Sequence, residues 1–136
     1  RFADLVAAMD TDTKTFQKII ETVFNYWVSP ECDIDGIQSW ADYSGGVVSA
    51  FEGAMASAQS GTDTAIFTSG GTIATMVGHV LRLTSDRVYE FYEPVFNCSI
   101  TRIIFNSRKC SLSTFNDVGH LHLMSAQLRE RLVTYR

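Results

Sequence analysis

The sequence predicts an α/β domain in which helices come first, a β–α unit follows and a β-hairpin comes last. Three observations support this order: an apolar stripe at helical spacing over 16–28, a β-forming run at 64–68 before a small-residue turn, and alternating side chains over 99–105. Periods near 3.6 and 2 are the patterns of helices and half-buried strands. The 136 residues correspond to one domain or part of one.

The first predicted helix begins at Asp12 or Thr13, either of which can cap a helix N-terminus. Its apolar residues fall on one face; they are Phe16, Ile19, Ile20, Val23, Phe24, Trp27 and Val28. Ser29-Pro30 predicts the end of the helix, because the residue before proline avoids the helical region. We expect this stripe to lie in the core.

A second helical pattern runs from Ile37 to Met55 and includes Trp40, which we also expect in the core. Gly45-Gly46 lies inside it, and each glycine costs about 0.8–1 kcal/mol relative to alanine in a helix interior. We therefore expect the pair either to break the helix or to let another backbone approach closely. The sequence QSGTD at 59–63 then predicts a turn.

A buried strand is predicted at 64–68, where the run TAIFT is rich in β-formers and bounded by turn residues. The strand ends at Ser69-Gly70-Gly71. A helix follows, and its apolar face consists of Ile73, Met76, Val77, Val80 and Leu81. A strand, a small-residue loop and a helix in succession form the half-unit of an α/β fold.

The last part of the chain predicts a hairpin between short helices. A short helix is expected around 85–92, followed by strands over 99–105 and 109–115 with a turn at 106–108. A further short helix is expected at 124–132.

Charge and cysteine content exclude several classes of function. The 11 basic and 15 acidic residues give a net charge of −4, and the basic residues are scattered apart from Arg129, Arg131 and Arg136, so we expect no nucleic-acid partner. No apolar run approaches the roughly 20 residues that cross a bilayer, so no membrane partner is expected. Cys32, Cys98 and Cys110 form no CxxC pair, which predicts free thiols in a reducing cytoplasm. Cys98 and Cys110 could face each other across the hairpin, but two small buried side chains are the favoured interpretation.

The strongest candidate for a site is the loop Ser69-Gly70-Gly71 before a helix. The free N–H groups and the positive dipole end of a helix N-terminus attract anions, and glycines let an anion approach the backbone. Thr68, Ser69 and Thr72 add hydroxyl groups. Phosphate binding is one hypothesis, and an ordinary tight β–α turn fits the spacing too. A nucleophilic Ser69 is disfavoured, because FTSGG lacks the first glycine of G-x-S-x-G.

The histidines are weaker candidates. His120 and His122 form H-x-H near Asp117, but a zinc site needs three or four ligands. His79 and scattered carboxylates are the only further candidates. We interpret these histidines as structural or surface residues and expect no metal.

Two segments together resemble the C-terminal half of the histidine phosphatase superfamily: IFTSGGTIATMVGHVLRL (66–83) and FNCSITRIIFNSRKCSLSTFNDVGHL (96–121). They are similar, in order, to a strand ending in Ser-His-Gly-Gly, a helix, an N-x-S-(I/V)-T strand, a second hairpin strand and a closing N-(D)-x-x-H-L. The resemblance implies a three-layer α/β/α, phosphoglycerate-mutase-like sheet without its N-terminal strand. Residues 1–136 would then be the C-terminal portion of one domain, with a helical part at 1–63 and a β–α–hairpin part at 64–136.

The resemblance also implies a mechanism for phosphate monoesters. In the family, a histidine of an Arg-His-Gly motif takes the phosphoryl group, and water then releases it. Arginines and a second histidine hold the phosphate, and a carboxylic acid protonates the leaving oxygen. The resemblance implies no cofactor. By position, Ser69, Gly70 and Gly71 correspond to the phosphate loop. Asn97 corresponds to a strand start that faces the site, and His120 to the closing histidine, which we interpret as structural.

The sequence departs from the family pattern in two ways. It contains no Arg-His-Gly, so we expect the nucleophile and the first strand to lie upstream of Arg1 and this chain alone to be inactive. The resulting unpaired sheet edge would invite another chain, including a second copy. Ser69 stands at the position of the second histidine, and a neutral hydroxyl bonds phosphate more weakly than a cation does. An active phosphatase, an inactive member that binds a phosphorylated ligand or a protein, and an unrelated structural domain all stay open.

Overall fold

The computed structural model describes residues 13–134, which form helices and a small two-stranded antiparallel sheet, compatible with the α/β class. The elements are α1 (Thr13–Val28), α2 (Trp40–Ser57), α3 (Gly70–Leu81), a 3₁₀ turn (Ser85–Arg87), α4 (Tyr89–Tyr92), β1 (Ile100–Phe105), β2 (Cys110–Asp117), α5 (Gly119–His122) and α6 (Ala126–Leu132). Their order matches the prediction except that no strand forms at 64–68 and that α5 was not predicted.

The ends of the first two helices follow from local side chains. Helix α1 ends at Val28, as the proline signal predicts, and the backbone N–H and hydroxyl of Ser29 both donate to the carbonyl of Tyr26. Helix α2 begins after Ser39, whose hydroxyl oxygen accepts from the Asp42 N–H at 3.1 Å. The predicted cap at Asp12 lies outside the described residues.

Helix α2 runs without interruption through Gly45-Gly46, so the expected break is wrong. The expected close approach is wrong as well, because a Cβ atom built on either glycine meets nothing within 4 Å. Neither glycine is required by packing in the described structure. Ile37, which the pattern assigned to this helix, lies before it and is 58% exposed.

The predicted buried strand at 64–68 is also wrong. Residues 62–69 form no regular secondary structure, and Phe67 is 97% exposed. A strand exists only when a neighbouring strand takes up its N–H and C=O groups. Within 13–134, β1 and β2 pair with each other and no third strand lies beside 64–68. The composition of the segment predicted a strand but could not indicate whether a partner was present.

The core lies around α3, which packs against α2, α4 and β2. Five consecutive residues of α3, from Ala74 to Gly78, are buried. At Gly78 a Cβ atom would lie 3.0 Å from Cγ2 of Val88, so glycine lets the next segment approach closely. Other buried apolar residues are Phe51, Val88, Tyr89, Val95 and Leu121.

An aromatic cluster joins α1, α2 and α4. Its members are Phe24, Trp27, Trp40, Tyr43, Tyr89 and Tyr92, with ring centroids 5.2–6.0 Å apart. Both indoles are hydrogen-bonded: Trp27 donates to the carbonyl of Gln38 and Trp40 to the hydroxyl of Ser85. Part of the predicted stripe of α1 lies outside this packing, since Val23 is 51% exposed.

The predicted hairpin is confirmed. Asn116 stabilises the end of the hairpin opposite the turn. Asn116 has a φ of 56°, a left-handed conformation that asparagine tolerates better than most residues. Its Oδ1 accepts from the Phe96 N–H at 2.8 Å, and its Nδ2 donates to the carbonyl of Pro94 at 2.6 Å. Its backbone N–H donates to Oγ1 of Thr101. The pairing of β1 with β2 shifts register between Ile100 and Ile103, beside this residue.

The cysteines are free, but neither Cys110, which is half-buried, nor Cys98 is buried as expected. Cys110 pairs with Phe105 next to the hairpin turn, whereas Cys98 precedes β1 at the other end of the hairpin. The two therefore do not face each other, and Cys98 is exposed.

The short helices lie close to their predicted positions. The helix expected around 85–92 is divided into the 3₁₀ turn and α4, and α6 begins two residues later than predicted. Ser125 caps α6 by accepting from the Leu128 N–H.

Gly45→Ala and Gly46→Ala are each expected to raise the free energy of unfolding by about 0.8–1 kcal/mol, because the helix is continuous and open space surrounds both positions. Urea denaturation followed by circular dichroism measures this. Gly78→Ala is the matched control and is expected to destabilise, because its methyl group would press on Val88. Equal effects at positions 45 and 78 would contradict the packing described.

Asn116→Ala is expected to lower the free energy of unfolding by about 1–3 kcal/mol, because two backbone groups lose a part-buried partner. Asn116→Gly loses the same bonds but adopts a positive φ freely, so it is expected to be less destabilised than Asn116→Ala. Thermal unfolding of both variants measures the difference. A neutral Asn116→Ala would show that the hairpin does not depend on these bonds.

Candidate functional site

The predicted phosphate loop forms the N-terminus of α3. Ser69 is the N-cap residue with extended backbone, and its carbonyl accepts the first bond of the helix, from the Ile73 N–H at 3.0 Å. The N–H groups of Gly70, Gly71 and Thr72 precede that bond and have no acceptor within the helix. Ser69 is exposed and the next three residues are half-buried. The structure therefore presents three adjacent backbone donors near the surface.

Three hydroxyl groups form a row beside these donors. Ser69 Oγ lies 3.3 Å from Thr72 Oγ1, which lies 3.3 Å from the hydroxyl of Tyr43. The Ser69 side chain makes no capping bond to its own helix, so it is free to bond a ligand. Hydroxyl hydrogens rotate, which lets each group donate to an anion or accept from its neighbour.

Tyr43 is the part of this arrangement that sequence reasoning missed. It lies on α2, three residues after Trp40 on the same helical face, and it also belongs to the aromatic cluster. Helical spacing indicates that Tyr43 packs inward, but its approach to Thr72 is a tertiary contact that spacing cannot show.

Gly71 is needed for this close packing. A Cβ atom there would lie 3.2 Å from the Tyr43 hydroxyl and 3.8 Å from a ring carbon of Tyr92. The carbonyl of Gly71 accepts from the hydroxyl of Thr75, which is buried. A larger residue would displace the hydroxyl of Tyr43 from the row.

Asn97 is held by the C-terminal segment. Its backbone N–H donates to the carbonyl of Thr134 at 2.9 Å, and its Nδ2 donates to the hydroxyl of the same residue at 3.1 Å. Two residues later, the buried hydroxyl of Ser99 has no hydrogen-bond partner in the described residues. Ser69, Gly70 and Gly71 thus lie together at α3, while Asn97 is tied to Thr134.

The histidines lie elsewhere. His120 and His122 are exposed on either side of buried Leu121, and Asp117 accepts from the Gly119 N–H. His79 Nε2 lies 3.8 Å from a carboxylate oxygen of Glu52. Across residues 13–134, no three His, Cys, Asp or Glu side chains are grouped so that they could hold a metal ion. No helix in that range is long and apolar enough to cross a membrane.

Comparison with protein families identifies the family of this chain. The sequence model of the histidine phosphatase superfamily (branch 1) matches residues 7–118. This chain belongs to that superfamily. The matched range covers most of the 136 residues and includes Ser69-Gly70-Gly71 and both hairpin strands. It extends the resemblance back over α1 and α2, and it ends before His120. No curated protein and no solved structure matches the chain.

Proposed function

We propose that this chain supplies the phosphate-binding loop of a histidine phosphatase that hydrolyses small phosphate monoesters. The observation that carries the proposal is the N-terminus of α3, where three backbone N–H groups adjoin the hydroxyls of Ser69 and Thr72. A helix N-terminus carries about half a positive charge and favours phosphate. The loop also lies inside the range that matches a family acting on phosphorylated substrates.

In this proposal the residues of the loop hold the phosphoryl group. The N–H groups of Gly70 and Gly71 donate to its oxygens, and Ser69 adds a hydroxyl donor. Tyr43 keeps Thr72 oriented toward the loop through the 3.3 Å contact. Donors fixed in place before reaction stabilise the charge spread over the phosphoryl oxygens in the transition state.

The nucleophile of the proposed reaction comes from outside these 136 residues, because they contain no Arg-His-Gly. The histidine nitrogen would attack phosphorus as the ester oxygen leaves with a proton, and water would then displace phosphate from the histidine. The three-layer sheet, with a strand beside 64–68, belongs to the same proposal. A role for Asn97 facing the site is also part of this proposal, and it is supported by the resemblance to the family.

A catalytically inactive member of the superfamily that binds a phosphorylated ligand or a protein is the second candidate. Ser69 at the position of the second histidine favours it, because a hydroxyl carries no charge to the phosphate. A reducing, cytoplasmic setting is proposed with either function and is supported by the three free cysteines. A homo-oligomer stays a prediction.

Ser69→Ala is expected to weaken binding of inorganic phosphate to the chain by about 0.5–1.5 kcal/mol, the contribution of one neutral hydrogen bond. Isothermal titration calorimetry at constant ionic strength measures it. Ser39→Ala is the matched control, since Ser39 also caps a helix but accepts a real capping bond and contacts the carboxylate of Asp42. We expect Ser39→Ala to lower stability and leave phosphate affinity unchanged.

Ser69→His restores the residue type of the family and is expected to tighten phosphate binding below about pH 6.5, where histidine is charged. If neither substitution at position 69 changes the phosphate affinity, the loop is not the phosphate-binding site.

The 136-residue chain is expected not to hydrolyse p-nitrophenyl phosphate, because it lacks the nucleophile motif. The test compares this chain with a longer product of its reading frame that contains an Arg-His-Gly segment. Turnover by the longer protein that disappears when the histidine of that motif is replaced supports the phosphatase. No turnover, with phosphate still bound, supports the inactive binding protein. Turnover by the 136 residues alone that disappears in Ser69→Ala would instead establish a serine mechanism.

A further inference from the structure

A group of basic residues lies at the opposite end of α3 from Ser69. A cavity of about 520 Å³ opens there between the C-terminus of α3 and the hairpin turn. Its lining includes His79, Arg82, Arg108, Lys109 and Cys110, and no acidic residue of the described range 13–134 lines it. Since α3 has twelve residues, the cavity lies roughly 18 Å along the helix axis from the phosphate loop.

The cations of this cavity are not neutralised within the described residues. None of Arg82, Arg108 and Lys109 has a carboxylate partner within 4 Å in that part of the chain, although the protein as a whole is acidic. His79 differs, because Glu52 lies 3.8 Å from it. The excess positive charge therefore rests on two arginines and one lysine.

The backbone around Arg108 and Lys109 is fixed in advance. Oδ1 of Asn106 accepts from the N–H groups of Arg108 and Lys109 at 2.8 and 3.0 Å, and the N–H of Asn106 donates to the carbonyl of Lys109. A turn tied in this way keeps both basic residues beside the cavity without further ordering of the backbone. Such preorganisation favours ligand binding, because less conformational freedom is lost.

Arg82 occupies a position that usually takes glycine. It ends α3 with φ 56° and ψ 42°, and the Leu83 N–H closes the helix by donating to the carbonyl of Gly78 at 2.9 Å. Left-handed conformation after a helix is sterically unfavourable for residues with a Cβ atom. Arg82 therefore lines the cavity in spite of backbone strain, and strain of this kind clusters at binding sites.

We propose that this cavity binds a small molecule carrying two or more phosphate groups. Three cations without internal partners match a polyvalent anion, and arginine bonds phosphate through paired N–H groups. A volume of about 520 Å³ is in the range of small-molecule pockets. The site is separate from the Ser69 loop and does not depend on the proposed phosphatase reaction.

Pyrophosphate is the probe, titrated calorimetrically into the full chain at constant ionic strength. Arg108→Ala and Arg82→Gly are each expected to bind pyrophosphate about threefold to tenfold more weakly. Arg82→Gly is also expected to keep or raise the melting temperature, because glycine relieves the strained backbone. Lys18→Ala, an exposed lysine on α1, changes net charge equally and is expected to leave affinity unchanged. Binding in this cavity is distinguished from binding at the phosphate loop by a readout local to the cavity, the alkylation of Cys110.

Cys110 offers a local measurement. Burial raises the pKa of the Cys110 thiol, and a bound anion would raise the pKa further and cover the sulfur, so pyrophosphate is expected to slow its alkylation. Peptide mass spectrometry follows Cys110 with Cys32 and Cys98 as internal references. Protection that disappears in Arg108→Ala supports the site. The proposal is overturned if Lys18→Ala loses as much pyrophosphate affinity as the arginine variants, or if pyrophosphate does not protect Cys110. Binding of a hexaglutamate peptide but not of pyrophosphate would overturn it as well.

Discussion

The contact of Gly78 with Val88 is the constraint on which the rest of this structure depends. Because Gly78 has no side chain, the segment after α3 folds back to within 3.0 Å of where its Cβ would be, and α3 becomes the buried centre of the molecule. A central helix held in this way fixes both of its ends. Its N-terminus meets Tyr43 of α2, and its C-terminus meets the hairpin turn. Both candidate anion sites are therefore positioned by the packing of one helix.

Tyr43 connects the core to the proposed phosphate loop. Its ring packs with Trp27 and Trp40, while its hydroxyl contacts Thr72 beside Ser69. Aromatic pairs of this kind contribute about 0.5–1.5 kcal/mol beyond the area they bury, so the ring is firmly held. A hydroxyl on a firmly held ring keeps its place whether or not a ligand is present. The loop thus depends on side chains that lie 26 or more residues earlier in the chain.

Local patterns predicted those parts of the structure that local interactions determine. The end of α1 at Val28 and the hairpin around Asn106 follow from neighbours in sequence, and both were predicted. The prediction of a strand at 64–68 failed because a strand also needs a partner strand, and composition cannot show whether one is present. The prediction of a close backbone approach at Gly45-Gly46 failed because no described residue lies near either glycine. Ser69-Gly70-Gly71 could be found from its position before a helix, whereas Tyr43 could not, because only folding brings it there.

Residues 64–68 precede Ser69 directly, so a contact made by these residues can affect the loop. Phe67 is almost fully exposed, and Ser69 follows it by two residues. A strand that paired with this backbone would set the entry angle of the loop and so change its affinity for phosphate. By thermodynamic reciprocity, phosphate in the loop would change the affinity for that strand by the same factor. Strand pairing at 64–68 and phosphate occupancy of the loop would then be two readouts of a single coupling free energy.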